Sequence, residues 1–154
     1  MMHTKVAMAT MMRVREVMCA PVIHIDADAT VWDAAQKLTE HRISGAPVLK
    51  GSRILGMVTK SDLVNPNNEL QARVDKVMTP FAYAVKADDP AMLAIKLMVD
   101  ENIHRALVVD NAGELVGIVA PIDICRALRH GKAFDDETHV DLRYVDLARF
   151  AARP

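Results

Sequence analysis

The sequence predicts an α+β protein, α/β-like in its alternation, built from two pseudo-symmetric β-α-β-β-α repeats packed sheet to sheet as one module. Three observations carry that expectation. The segment "VREVM" at residues 14–18 returns as "VDKVM" at residues 74–78, an offset of 60, and the same order of elements follows each copy. Val31, Ala34, Ala35 and Leu38 have the i, i+3, i+4, i+7 spacing of a helix buried on one face, and Ala91, Ala94, Ile95 and Met98 repeat it 60 residues later. Each helix is followed by two β-branched apolar runs separated by a turn, the pattern of a hairpin.

Along the chain, residues 1–13 read as an N-terminal extension and 14–68 as the first repeat. Residues 69–129 read as a linker helix over 69–76 plus the second repeat, and 130–154 as a C-terminal extension, helical in its "HVDLRYVDLARFAA" stretch. Within the repeats, "VIHI" (22–25) and "AYAV" (82–85) are expected as the strands that precede the long helices. Thr30 is the expected cap of the first helix; Asp89, followed by Pro90 in the first turn, is the expected cap of the second. The hairpins run "APVL"–"KGSR"–"ILGMVT" and "ALVV"–"DNAGE"–"LVGIVA". The second turn is one residue longer, so "GMVTKSDL" at Gly56 returns as "GIVAPIDI" at Gly117 with an offset of 61. A short helix follows each of these segments, the first cut off at Asn65-Pro66. A unit of about 50–60 residues has only a marginal core of its own, so the two copies should bury their sheet faces against each other and leave two clefts related by a pseudo-two-fold axis.

Composition narrows the function classes. Lys plus Arg number 19 against 20 Asp plus Glu, a net charge of −1, which predicts no general affinity for nucleic acid or an anionic membrane. No run approaches the ~20 apolar residues of a membrane span. The two cysteines, Cys19 and Cys125, form no ligand motif, and with the absence of a recognisable leader they fit a reducing cytoplasm. The six histidines lack metal-ligand spacing, and no nucleophile elbow, P-loop or dinucleotide fingerprint occurs, so neither a metal site nor an enzyme is expected. The ten methionines read as adaptable packing or part of a dimer seam, and Trp32 as an anchor against the partner copy or a partner chain.

The series "VMCAPVIHI", "TVWDAAQKLTEHRISGAPVL" and "LGMVTKSDL", with "VMTP", "DPAMLAIKLMVDENIHRALVVD" and "LVGIVAPIDI" in the second copy, resembles a tandem pair of cystathionine-β-synthase (CBS) domains, a Bateman module. The resemblance covers roughly residues 14–128. It implies regulatory binding of an adenosine-containing ligand (AMP, ADP, ATP or S-adenosylmethionine) in the inter-repeat clefts and association of modules into homodimers. No obligatory cofactor is implied, only an adenine nucleotide as regulatory ligand.

Thr59 and Asp62 in "TKSD" match a capping box at a helix start, where hydroxyl and carboxylate satisfy free backbone N–H groups. The same placement suits a ligand, because a carboxylate one turn in can accept from the cis-diol of a ribose while a helix start favours phosphate. The resemblance implies that Asp62 meets the ribose and Thr59 the ribose or phosphate. It also implies that the His104-Arg105 pair, joined by Lys60, meets the phosphates in the cleft whose ribose aspartate comes from the other copy. For adenine, Gly45, Ala46 and Pro47 of "SGAPVL" offer close backbone approach and a flat wall, with Val22 and Met57 completing the slot; sheet core is their other reading. In the second copy Asp123 remains, but Ala120 replaces the hydroxyl and Pro121 has no N–H, so that cleft is left to bind more weakly, differently or not at all. The expected function is a non-catalytic adenosine-ligand sensor that shifts the balance between two arrangements of the copies. The alternatives are an S-adenosylmethionine or NAD sensor, and a ligand-independent dimerisation or adaptor protein that grips an unidentified protein target through its tail.

Overall fold

A computed structural model describes residues 12–130, together with the backbone of a two-residue strand at Val145–Asp146. The first repeat runs β1 (Ile25–Asp26), α1 (Val31–Glu40), β2 (Gly45–Lys50), β3 (Arg53–Thr59) and α2 (Lys60–Leu63). The second runs β4 (Tyr83–Lys86), α3 (Ala91–Asp100), β5 (Ala106–Val109), β6 (Leu115–Val119) and α4 (Pro121–Arg129). Both are β-α-β-β-α. In each, the first strand lies parallel to the second and the second antiparallel to the third, giving orders β1-β2-β3 and β6-β5-β4-β7, where β7 is Val145–Asp146 paired antiparallel with β4. Both hairpins slip register at the same repeat position, between Val48 and Leu49 and between Val108 and Val109.

Helix periodicity buries most of each expected face, with Ala35 and Ile95 only partly covered. Val31, Ala34 and Leu38 are closed off on α1, and Ala91, Ala94 and Met98 on α3. A separate apolar cluster lies between the sheets, where Ile54 and Met57 of β3 meet Ala82, Ala84, Leu107 and Val109 of the second repeat. This is the sheet-to-sheet seam expected of two cores too small to stand alone.

The repeats do not keep their own leading segments. Met12, Val14 and Val17 are buried in the core of the second repeat, whereas Val74 is buried in that of the first. The exchange is fixed by the backbone: Val14 N–H donates to Asp89 O at 2.9 Å and Ala91 N–H to Met12 O at 2.7 Å, while Val74 N–H donates to Ala29 O at 2.8 Å and Val31 N–H to Ala72 O at 2.9 Å. Each leading segment then pairs with the last strand of its adopted repeat, Cys19 with Ile118 and Thr79 with Met57. Gly56 and Gly117 make room for this. A Cβ at Gly56 would overlap the Thr79 carbonyl, and one at Gly117 would overlap the Met18 thioether.

Four local expectations are corrected. Asp89 does not cap α3; Pro90 occupies the cap position, and the Asp89 carboxylate instead accepts from Lys86 N–H at 2.8 Å. Part of the reason is that the exchanged segment already satisfies Ala91 N–H. Residues 69–76 form no linker helix but turns ending in a single 3-10 turn at Val74–Lys76, because the Ala72 and Leu70 carbonyls accept from Val31 and Trp32 N–H at the start of α1. Of "VIHI" only Ile25 enters β1, the rest of the run being the path by which the chain crosses between repeats. The tail expectation falls mostly outside the described residues, but Val145–Asp146 are strand rather than helix. Trp32, expected as an anchor against the partner copy or a partner chain, is 47% exposed among the described residues. No helix among the described residues is long and apolar enough to cross a membrane.

Candidate functional site

The cleft between the repeats on the α2 side holds a cavity of about 510 Å³, a size suited to a nucleotide-sized ligand. Among its polar side chains, which also include Ser61, Thr79 and Asn102, two groups stand out. One contains Ser44, Thr59 and Lys60 from the first repeat with His104 and Arg105 from the loop before β5. There Lys60 N–H donates to Ser44 O at 2.9 Å, and the Arg105 guanidinium donates to Ser44 Oγ. The other contains Tyr83 and Glu101, joined by the phenol donating to the carboxylate at 2.8 Å. Met57, Phe81, Ala82, Ile103 and Leu107 supply apolar lining. Phe81 meets Tyr83 edge to face at 5.7 Å between ring centres.

The capping box forms as expected. Asp62 N–H donates to Thr59 Oγ1 at 3.3 Å, and Asp62 Oδ2 accepts from Thr59 N–H at 2.8 Å and from the Thr59 hydroxyl at 3.0 Å. Asp62 Oδ1 has no partner among the described residues. Arg105 is the electrostatic centre of the cavity. Burial lowers its pKa from the ordinary guanidinium value, yet it makes no ion pair with a carboxylate among the described residues. A half-buried guanidinium stays protonated, so its poorly solvated charge favours an anion in the space beside it.

The structure therefore brings Thr59, Lys60, His104, Arg105 and Met57 to one cavity. Asp62 stands one bond away, turned onto Thr59. The remaining residues of the expected adenine slot lie elsewhere. Ala46 is fully buried in the core of the first repeat, and Pro47 is a buried β2 residue paired with Met57. Gly45 lies against the Arg105 guanidinium. Val22 is half-buried outside the cavity, and its counterpart 60 residues on, Ala82, forms the wall instead. The reason is the segment exchange: the chain entering β4, not the chain entering β1, crosses on this side. Sequence reasoning did not single out Phe81, Tyr83, Ile103 or Glu101. A usable signal existed, since the second copy carries aromatics at 81 and 83 where the first has Pro21 and Ile23.

The second cleft differs. Asp123 is buried, with Oδ2 accepting from Ala120 N–H at 2.8 Å and Oδ1 lying 3.3 Å from both the Cys19 thiol and the Arg126 guanidinium. Ala120 offers no capping oxygen. Desolvation, followed by the bond to Asp123 and its charge, raises the Cys19 pKa, so the thiol is held protonated.

The CBS-domain pattern matches this chain twice, over residues 14–66 and 74–130, and the chain belongs to the CBS-domain family as a tandem pair. Among relatives, it is 32% identical over 116 residues to an inosine-5'-monophosphate dehydrogenase of Korarchaeum cryptofilum, covering 75% of this chain and 24% of the enzyme. The chain spans 35% and 24% of the length of two curated relatives that it matches. Among solved structures, the CBS domain protein PAE2072 from Pyrobaculum aerophilum, complexed with AMP, is similar at 25% identity and a TM-score of 0.70, with 78% of this chain and 97% of that one covered. The CBS domain pair of protein MJ0100, in complex with 5'-methylthioadenosine and S-adenosyl-L-methionine, gives 26% identity and a TM-score of 0.70, with 80% and 99% covered.

Proposed function

We propose that this chain is a non-catalytic regulatory module that binds an adenosine-containing ligand, a phosphorylated one by preference, in the cavity between its two CBS repeats. The observation that carries this is the half-buried Arg105 guanidinium, without a carboxylate partner among the described residues, on the wall of a cavity large enough for a nucleotide. In this reading Arg105, His104 and Lys60 meet phosphate, Thr59 and Asp62 meet ribose, and Met57, Phe81, Ala82 and Ile103 enclose the base. The similarity to an AMP-bound CBS protein supports the ligand class. The second cleft, with Asp123 engaged by Cys19, is the weaker site. The expected homodimer belongs to the same reading, and Trp32, Val64 and Leu70 offer it exposed apolar surface.

A second reading rests on Glu101. A carboxylate held by Tyr83 on the wall of the cavity suits a ligand that carries a cation, as S-adenosylmethionine does. The similarity to the MJ0100 pair points the same way.

The test is calorimetry and thermal unfolding with AMP, ADP, ATP, NAD and S-adenosylmethionine on the wild type, Asp62→Ala and Arg105→Ala. A ligand at about 100 times its Kd adds ~2.7 kcal/mol of stability. That raises Tm by about 5–10 °C in a chain of this size. A rise with one phosphorylated adenosine, reduced in both variants, is the expected result. A rise with S-adenosylmethionine alone selects the second reading. No rise with any compound overturns both and leaves the adaptor.

A further inference from the structure

We infer that Ser44 and Gly45 of the first repeat are the seat of Arg105 and thereby set how strongly the cavity prefers a phosphorylated nucleoside to the bare nucleoside. The inference rests on the nucleotide reading above. The 60-residue offset makes Ser44 the counterpart of His104 and Gly45 the counterpart of Arg105. Counterparts that touch each other lie at the pseudo-two-fold axis, and Gly45 and Arg105 do touch: a Cβ at Gly45 would overlap Arg105 Nη1 and lie 3.2 Å from Cζ. The axis has room for one side chain. The second repeat supplies the arginine, and the first supplies the empty place that receives it.

The seat is rigid. Gly45 pairs with Thr59 in the β2–β3 ladder, and the Ser44 carbonyl is held by Lys60 N–H at 2.9 Å. From that anchored backbone Ser44 Oγ accepts from Arg105 Nη2. A guanidinium has five N–H donors in a fixed fork; one is spent on Ser44, and others remain for an anion. Holding a long side chain in place before the ligand arrives removes part of the ordering cost from binding. Ser44 and Gly45 therefore act as positioning residues that work through Arg105. The opposite cleft has no equivalent, because there the arginine position is Gly45 itself.

The experiment compares AMP with adenosine on the wild type, Ser44→Ala, Gly45→Ala, Arg105→Ala and the Ser44→Ala/Arg105→Ala pair, with side-chain 15N NMR of Arg105 in the ligand-free protein. Ser44→Ala should lower the AMP-to-adenosine affinity ratio by about two- to tenfold, the range of one hydrogen bond. Gly45→Ala should lower it as far as Arg105→Ala does. In the Arg105→Ala background, Ser44→Ala should change nothing further. Without ligand, the Arg105 Nη resonances should be distinct in the wild type and averaged in Ser44→Ala. Gly45→Ala also brings its methyl to 3.1 Å from Val58 O, so Ser44→Ala is the sterically neutral variant. An unchanged ratio in Ser44→Ala, an effect that survives removal of Arg105, or averaged Nη signals in the wild type each overturn the seat. Distinct Nη signals lost in Ser44→Ala, with neither compound binding, uphold the seat and overturn the nucleotide reading.

Discussion

Gly56→Ala tests the segment exchange, because the added methyl has nowhere to go but into backbone. It would overlap the Thr79 carbonyl oxygen and lie 3.1 Å from both Thr79 C and Pro80 Cα. Thr79 is tied to Met57 by two hydrogen bonds, of 2.9 and 2.8 Å, so relief requires the segment to lift and loosen both. Two backbone bonds at about 0.5–1.5 kcal/mol each, plus about 1–3 kcal/mol for overpacking, give a loss of roughly 2–6 kcal/mol. Less glycine entropy in the unfolded chain returns under about 1 kcal/mol. Gly117→Ala is the control at the matching repeat position. There the methyl meets chiefly the Met18 thioether, with Cys19 O at 3.2 Å, and an unbranched methionine can turn aside. Its cost should be about 1 kcal/mol. Urea and thermal unfolding should give a Tm drop of roughly 5–15 °C for Gly56→Ala and about a third of that for Gly117→Ala. Equal costs, or a larger cost at Gly117, would refute the claim that backbone crossing at Gly56 is the tighter of the two.

Two further outcomes are expected. Ala120→Ser should stabilise α4 by about 0.5–1 kcal/mol, seen as a higher Tm, because α4 has no side-chain cap while its N3 residue Asp123 is already in place. Cys19 should be alkylated by iodoacetamide more slowly than Cys125 at pH 8, and Asp123→Asn should speed it. Burial, then Asp123, raises the folded-state pKa, so the reactive thiolate forms only as pH rises past the ordinary thiol value of about 8.5.

Local order was legible in the sequence wherever one residue's neighbours decide its structure. The helix faces of Val31 and Ala91, the hairpins and the Thr59–Asp62 box follow from spacing and side-chain chemistry alone. The site was legible where charge marks it: Lys60, His104 and Arg105 converge on one cavity. Apolar partners were harder to assign. Val14 and Val74 read as buried in either arrangement, and periodicity says nothing about which repeat buries them. That ambiguity carried directly into the cavity wall, where Val22 was expected and Ala82 stands. Asp89 failed for a related reason, since a distant backbone satisfies the N–H that a cap residue would otherwise serve.

The exchange has a mechanical consequence. The chain passes between the two cores over residues 20–24 and again over 80–82, and Phe81 and Ala82 of the second passage line the cavity. The link between the two halves is thus itself part of the cavity wall. A molecule bound beside Phe81 would touch directly the chain that joins the two halves, so its presence would need no relay through other elements.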